Sequence, residues 1–310
     1  MSDPDILKFR HVLVTGGTGF IGTDLCERLL GLGLAVSVLS RDRERARDHF
    51  SGRVRAVESL DELGADDAPG VIVNLAGMNL GEQRWNTEVK EQLIASRVDT
   101  THQVIAWIAR AAVRPQLLIS GSAVGYYGAR GDEPLTERST AGDEYQADLC
   151  RRWENAAESA VQYGVRVCIS RTGIVMGPGG GALSGLAPLF RLGLGAIAGS
   201  GRQWVSWIHI HDLLESFLLF MRDNSLSGAF NNTAPNPVTN REFSRAIGRA
   251  LHRPVLLRAP GWAMRLRYGE LAHLYLTGQK VLPARHLRAG FEYRYPFIDA
   301  ALRAALNPPG

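Results

Sequence analysis

Short apolar segments alternate with longer amphipathic stretches through the first half of the chain. The apolar segments are nearly continuous rather than alternating, and valine, isoleucine and leucine dominate them. Parallel strands that are covered by helices on both faces have this composition. The pattern predicts six strands, at residues 11–15, 34–39, 54–57, 71–74, 117–120 and 165–170.

Helical periodicity separates these strands and predicts helices at residues 21–32, about 87–112 and about 144–163. Strands and helices in this alternation predict an α/β fold with a doubly wound parallel sheet of the Rossmann type. After Arg171 the pattern changes, and residues 173–201 are rich in glycine, which predicts an irregular, mobile segment. A strand at 205–210, a helix at 212–222 and a strand at 229–232 are predicted next, followed by mixed helices and short strands.

This change of pattern predicts a smaller C-terminal α+β lobe that holds a substrate. We expect residues 1–178 plus about 203–233 to form the Rossmann domain. Residues from about 179 to 202, plus 234–310, would then form the substrate lobe.

Composition excludes several classes of protein. The chain is 45% hydrophobic and 21% charged, which is typical of an ordinary globular protein. Its net charge of +4 comes from dispersed basic residues, and its densest basic run, residues 41–45, alternates in sign. Alternation is typical of the solvated start of a helix, so we expect no binding of nucleic acid.

The compartment is predicted from three further observations. The most apolar stretch, residues 213–221, contains Glu215 and is too short to span a membrane. Residues 1–10 mix acids and bases, unlike a signal peptide. The three cysteines, Cys26, Cys150 and Cys168, are scattered and fit a reducing environment. We therefore expect a cytoplasmic protein without a membrane partner.

A glycine-rich turn follows the first predicted strand and opens the first helix. Glycines early in such a turn let backbone N–H groups approach a pyrophosphate, and the last glycine lets the helix pack on the sheet. The turn therefore predicts a dinucleotide-binding loop that consists of Gly16, Gly17, Thr18, Gly19, Phe20, Ile21 and Gly22.

The end of the second strand selects the cofactor. An acidic residue there would favour NAD, but the strand ends at Ser40, which is followed by Arg41. A hydroxyl and a guanidinium suit the 2′-phosphate of NADP(H), which is the cofactor that we predict. Asp42 is a competing candidate that would favour NAD. At the end of the fourth strand, small residues predict further cofactor contacts at Leu75, Ala76 and Gly77.

Together with these segments, later motifs resemble the extended branch of the short-chain dehydrogenase/reductase superfamily, of the NAD(P)-dependent epimerase/dehydratase type. More narrowly, the whole chain resembles a poorly characterised epimerase-like family with a C-terminal domain of unknown function. The motifs that carry the resemblance include Ser120-Gly-Ser-Ala-Val-Gly-Tyr-Tyr-Gly128, Pro134-Leu-Thr-Glu137, Arg171-Thr-Gly, Trp207-Ile-His-Ile-His-Asp212 and Gly278-Gln-Lys-Val-Leu-Pro283.

The resemblance implies a catalytic serine, here Ser122, and a tyrosine four residues before a lysine. Tyr145 fits the tyrosine position, but Leu149 stands where the lysine belongs. Tyr126 is an alternative proton donor. Because only oxidation requires the phenolate as a base, loss of the lysine favours reduction of a carbonyl.

Further cofactor contacts follow from the resemblance, and a metal site is a weaker possibility. We expect Arg97 to compensate for the lost lysine beside the cofactor, with Lys90 further away, and Val175 to lie in a loop beside the nicotinamide. Two ligands at His209 and His211 are geometrically possible, but no third ligand is apparent, so no metal is predicted.

The combined prediction is an NADP(H)-dependent oxidoreductase or epimerase-like isomerase that acts on a small polar carbonyl or a sugar-nucleotide-like compound. The resemblance also suggests a homodimer. A noncatalytic NADP(H)-binding redox sensor is the alternative, because the lysine is missing.

Overall fold

The computed structural model describes residues 4–307, so the ends of the two predicted domains lie outside the described residues. The strands in this range are β1 (His11–Thr15), β2 (Ala35–Leu39), β3 (Arg55–Val57), β4 (Val71–Asn74), β5 (Leu117–Ala123), β6 (Pro134–Leu135), β7 (Arg166–Thr172), β8 (Ile174–Met176), β9 (Ala196–Ala198), β10 (Trp204–Val205), β11 (Trp207–His209), β12 (Gly228–Asn232), β13 (Val238–Thr239), β14 (Leu257–Ala259) and β15 (Lys280–Val281).

The α-helices in the same range are α1 (Pro4–Leu7), α2 (Phe20–Gly31), α3 (Arg43–His49), α4 (Thr87–Arg110), α5 (Tyr145–Glu158), α6 (Gly181–Arg191), α7 (Ile210–Arg222), α8 (Asn240–Ala250), α9 (Gly261–Tyr268), α10 (His273–Leu276), α11 (Ala284–Arg288) and α12 (Ile298–Leu306). Short 3₁₀ turns connect several of them, including one at Val124–Tyr127 directly after β5. None of the helices described between residues 4 and 307 is long and apolar enough to cross a membrane.

Seven parallel strands form the central sheet, in the order β12-β7-β5-β4-β1-β2-β3. The predicted Rossmann-type α/β fold is confirmed. The strands are buried because helices cover both faces of the sheet, as their continuous apolar sequences require. The strand order reverses between β1 and β4, and the crevice at the carboxyl ends of strands beside such a reversal is where ligands bind in open α/β sheets.

The glycine-rich segment at residues 173–201 is more regular than expected. It contains β8, the three-turn helix α6 and β9. Leu183, Ala187 and Phe190 recur at helical spacing in α6 and pack into a buried cluster. The glycines had obscured this apolar stripe in the sequence.

A second buried cluster is built mainly from α6, α8 and α12. Trp207 belongs to that cluster, is fully buried and donates its indole N–H to the carbonyl of Asn236. It is a core residue, unlike the half-exposed Trp204. The segment from Gly278 to Val281 is held to the connection between β10 and β11, because Val281 N–H and Gln279 O both bond to the Ser206 hydroxyl.

A candidate dinucleotide and active site at the edge of the sheet

After the turn from β1 into α2, the first N–H groups of the helix have no acceptor among the protein residues between 4 and 307. Gly19 is the N-cap and supplies no side-chain hydrogen bond, and the first backbone bond of the helix runs from Thr23 N–H to Gly19 O. By contrast, Asp42 accepts a hydrogen bond from Arg45 N–H at the start of α3. Free N–H groups together with the positive end of the helix dipole suit an anionic group.

The glycines of this turn are required by close packing. A Cβ on Gly16 would lie 2.9 Å from the backbone of Leu75, and one on Gly17 would lie 2.8 Å from the side chain of Val38. A Cβ on Gly22 would overlap the carbonyl oxygen of Gly16. The loop is therefore pressed against the ends of β2 and β4, and Thr18 and Gly19 remain at the surface.

Phe20 packs against the glycine-rich segment between β8 and α6. Its ring lies against Gly177, Gly180 and Gly181, where added Cβ atoms would collide with it. Ile21 is partly buried beside it and packs on the main core. Val175, predicted to lie beside the cofactor, is itself in that core and pairs with Ile208 between β8 and β11.

At the end of β2 the acidic candidate and the basic candidate have different environments. The carboxylate of Asp42 is occupied as the cap of α3, and its backbone N–H bonds to the Ser40 hydroxyl. Arg41 is exposed and has no hydrogen bond or ion pair to any other described residue. The guanidinium of Arg41 is thus the group at this strand end that is free to meet a ligand.

The end of β4 is held beside β1 by buried side chains. Asn74 accepts a hydrogen bond from the Thr15 hydroxyl at 2.6 Å and donates to Thr101 at 2.8 Å. The Thr15 hydroxyl also accepts from Ala76 N–H at 3.1 Å. Leu75, Ala76 and Gly77 therefore form a fixed ledge next to the glycine turn.

Arg97 lies directly under this ledge and is buried, not in bulk solvent. Its guanidinium donates to the carbonyls of Met78 at 2.8 Å and Leu93 at 3.1 Å. A Cβ on Gly77 would lie 3.0 Å from the guanidinium carbon. Burial lowers the pKa of Arg97, since no carboxylate neutralises it among the described residues. Lys90 lies elsewhere on α4 and pairs with Glu270.

Two neighbouring residues at the start of helix α5, Tyr145 and Gln146, have different surroundings. Gln146 faces Gly125, and the Cys150 thiol lies 3.7 Å from the carbonyl oxygen of Ala123. Tyr145 instead donates its hydroxyl to Lys90 O at 2.8 Å, and burial raises its pKa. The Tyr145 hydroxyl therefore lies on Lys90 O, on a side of α5 about 100° away from the side that carries Gln146.

Ser122 belongs to a buried polar network. Its hydroxyl donates to Glu154 at 2.6 Å, and Glu154 receives two further bonds from Arg171, at 2.9 and 2.7 Å. Both side chains of the Glu154–Arg171 pair are only 6% exposed. Although burial opposes its charge, the bonds and charge of Glu154 raise the pKa of Arg171.

The network continues through two tyrosines with different hydroxyl environments. Arg171 donates to the Tyr127 hydroxyl at 3.1 Å, which in turn donates to Asn231 at 2.6 Å. Burial raises the pKa of Tyr127 to about 12. Tyr126 is half-buried, with the Arg171 guanidinium 3.4 Å from its ring centroid, and its hydroxyl has no hydrogen bond to any residue in the described range.

Glu154 was not among the residues predicted from the sequence. A signal was present, because it falls four residues after Cys150 and one after Trp153 on the apolar stripe of α5. A carboxylate on a buried stripe requires a cationic partner. Sequence spacing could not identify that partner, since Arg171 comes from β7 across the sheet.

His209 and His211, the two histidines considered as metal ligands, lie at the start of α7, where His209 has a role in packing and helix capping. His209 caps α7 by accepting from His211 N–H, and it stacks on Tyr295. Burial lowers the pKa of His209 to about 4. Within residues 4–307, no cluster of three or more His, Cys, Asp or Glu side chains is arranged to hold a metal ion.

Residues 12–231 match the model of the NAD dependent epimerase/dehydratase family, and residues 259–305 match a domain of unknown function, DUF1731. Among curated proteins, the chain is 40% identical over 302 residues to the chloroplastic "Epimerase family protein SDR39U1 homolog" of Arabidopsis thaliana, covering 96% of this chain and 86% of the relative. It is 38% identical to the epimerase family protein Mb2239 of Mycobacterium bovis, covering 96% and 98%.

Among solved structures, the chain is similar to the human epimerase family protein SDR39U1 (isoform 2), crystallised with NADPH. The two share 34% sequence identity with a TM-score of 0.86, covering 96% of this chain and 100% of the human one.

Proposed function

The chain belongs to the NAD dependent epimerase/dehydratase family, and we propose that it binds NADP(H) and acts as an oxidoreductase or epimerase-like enzyme. The substrate would be a small polar carbonyl or a sugar-nucleotide-like compound. In this proposal the cofactor occupies the Rossmann domain, residues 1–178 plus about 203–233, and the remaining residues form the substrate lobe.

The observation that carries the cofactor assignment is the contrast between Arg41 and Asp42. Arg41 is unpaired within the described range, whereas the carboxylate of Asp42 is occupied by the N-terminus of α3. A free guanidinium binds a 2′-phosphate, while a free carboxylate there would repel it. The human relative that was crystallised with NADPH supports the same choice.

Residues at the ends of β1 and β4 would suit the pyrophosphate and ribose parts of a bound dinucleotide. The uncapped start of α2 would receive the pyrophosphate at Gly17 to Gly22. Leu75, Ala76 and Gly77 would border the ribose. Arg97, buried without a carboxylate, would offer its remaining N–H groups beside Gly77. Bound NADPH would supply the hydride.

For the proton, we favour Tyr126 over Tyr145. The hydroxyl of Tyr145 is committed to the Lys90 carbonyl, whereas that of Tyr126 has no protein partner among residues 4–307. Tyr126 would donate to the carbonyl oxygen of the substrate. The Arg171 guanidinium on its ring face stabilises the negative charge that then develops. Ser122, held by Glu154, keeps its lone pairs available to orient a substrate hydroxyl.

A specific observation also supports the second candidate, a noncatalytic NADP(H) sensor. Ser122 and Tyr145 both direct their hydroxyl protons into the protein, and Leu149 stands at the lysine position. Oxidation of NADPH against a panel of aldehydes, quinones and keto sugars distinguishes the two. Turnover with any of them supports the enzyme, and NADPH binding without turnover supports the sensor.

The cofactor assignment is tested by titration calorimetry of Arg41→Ala beside Arg47→Ala. Arg41→Ala should weaken the binding of NADPH by about 1.5–3 kcal/mol, because it removes a charge-assisted hydrogen bond. The affinity for NADH should stay nearly unchanged. Arg47→Ala removes an exposed arginine from the last turn of α3 and controls for net charge. Equal losses in the two variants would refute a direct contact of Arg41 with the phosphate.

A further inference from the structure

Two segments of the C-terminal lobe lack acidic residues entirely. Residues 177–202 and 243–269 contain no aspartate or glutamate, although 31 of the 310 residues in the chain are acidic. The same segments are rich in arginine. Its positions are Arg191, Arg202, Arg245, Arg249, Arg253, Arg258, Arg265 and Arg267, and all of them are exposed.

Large apolar side chains lie exposed among these arginines. Leu192 is 74% exposed, Leu256 83%, Trp262 70% and Leu266 75%. Leu189, Leu194 and Leu257 are exposed as well. Helix α9, which carries Trp262 and Leu266 four residues apart on one side, buries none of its residues.

The two segments meet in space. The Arg253 guanidinium donates to the carbonyl of Arg191 at 3.0 Å. Strands β9 and β14 pair in parallel, with Ala196 opposite Leu257. Pro260 leads from β14 straight into α9. These contacts hold the two segments side by side, and we call the exposed leucine, tryptophan and arginine side chains that they carry the basic apolar face. It consists of Leu189, Arg191, Leu192, Leu194, Arg253, Leu256, Leu257, Arg258, Trp262, Arg265, Leu266 and Arg267.

A basic cleft adjoins this face. It measures about 490 Å³ and is lined in part by Arg245, Arg249, His252 and Arg253. One of these arginines, Arg249, also pairs with Asp299 of α12. The cleft adds cationic groups at the border of the apolar side chains.

The chemistry of the face selects its partner. A second copy of the chain is a poor fit, since a twofold contact would bring arginines against arginines with no carboxylate to pair them. Leucine and tryptophan interleaved with arginine fit the boundary between the headgroups and acyl chains of a bilayer with anionic lipids. We propose that the basic apolar face binds peripherally to an anionic membrane surface, with Trp262 and Leu266 inserted and the arginines on lipid phosphates.

Flotation of the full chain with vesicles tests this proposal. Vesicles of phosphatidylcholine with about 30 mol% phosphatidylglycerol should carry the protein upward, whereas pure phosphatidylcholine should not. Raising the salt from about 0.1 M to about 0.5 M should weaken binding, because the arginines act through screened charge. Equal flotation with neutral and anionic vesicles, or no flotation with either, would overturn the proposal.

Two double variants separate the contribution of charge from that of apolar insertion. Arg258→Glu/Arg265→Glu and Trp262→Ala/Leu266→Ala should each lower vesicle partitioning about tenfold or more. The matched control is Leu287→Ala/Arg288→Glu, an exposed leucine and arginine on α11, which packs on the edge strand β12. The control should float like the unmutated chain.

Thermal unfolding and light scattering complete the test. All three variants should unfold at nearly the same temperature, because the substituted side chains are exposed. If the unmutated chain is a dimer that either face variant converts to a monomer, the face is an interface between copies and the membrane proposal is wrong.

Discussion

The two ends of the candidate site satisfy their polar groups in opposite ways. At the end of β1, helix α2 begins without a side-chain cap, and Arg41 contacts no other polar group in the described range. At the ends of β5 and β7, Ser122 and Arg171 are buried and both donate hydrogen bonds to the buried Glu154 carboxylate. The first, open end has groups free to receive an anion, whereas at the second, closed end these three side chains already have their partners.

This difference explains why one end could be recognised in the sequence more easily than the other. A phosphate-binding turn is local, because its glycines, strand and helix follow each other within about a dozen residues. The closed end depends on a pair from different elements, Glu154 on α5 and Arg171 on β7. A local pattern cannot reveal such a pair.

The largest expected effect is a loss of stability when the buried Glu154–Arg171 pair of the closed end is disrupted. Arg171→Met leaves the Glu154 carboxylate buried without its cation, and we expect the free energy of unfolding to fall by about 3–5 kcal/mol. Arg28→Met breaks the exposed pair with Glu215, whose side chains are 47% and 23% exposed, and should cost less than about 1 kcal/mol. Denaturant unfolding compares them, and similar losses would remove the distinction between the two kinds of pair.

A second prediction tests which tyrosine at the closed end donates the proton. With a carbonyl compound that the protein reduces, Tyr126→Phe should lower kcat about 100-fold or more, because it removes the proton donor. Tyr145→Phe removes only the bond to Lys90 O and should change kcat less than about tenfold. Single-turnover oxidation of NADPH measures both, and the reverse order would restore Tyr145 as the donor.

A single added methyl group should disrupt the glycine turn of the open end. Gly22→Ala places a Cβ on the Gly16 carbonyl and should weaken NADPH binding about tenfold or more, because the turn must open. Gly31→Ala lies at the other end of α2, where a Cβ meets nothing within 4 Å. It should leave binding unchanged and stabilise the helix by up to about 1 kcal/mol. Calorimetry and thermal unfolding distinguish a local steric effect from general damage to α2.

Much of the fold could be predicted because apolar runs and their spacing are local signals. Strands β1 and β4 lie at the predicted bounds, and β5 and β7 extend past theirs by two or three residues. Helix α6 was missed since its glycines and Pro188 mask the stripe of Leu183, Ala187 and Phe190. The roles assigned to Ser122, Tyr145 and Tyr126 stay predictions.

The orientation of α5 could not be read from spacing. Tyr145 and Gln146 are adjacent, and about 100° of helix separates their side chains. Only packing against α4 and β5 decides that Gln146 and Cys150 face the edge of the sheet. Similarly, Arg97 was expected near the cofactor, but its bonds to Met78 O and Leu93 O depend on how the ledge folds over α4.

In the proposed function, the unpaired Arg41 makes the open end a site for the 2′-phosphate of NADP(H). The most direct test is titration calorimetry of the unmutated chain with NADPH and with NADH. NADPH should bind about 10- to 100-fold more tightly, equivalent to about 1.4–2.8 kcal/mol, and the ratio should fall as salt rises. Equal affinities, or tighter binding of NADH, would contradict the assignment of Arg41 to the phosphate.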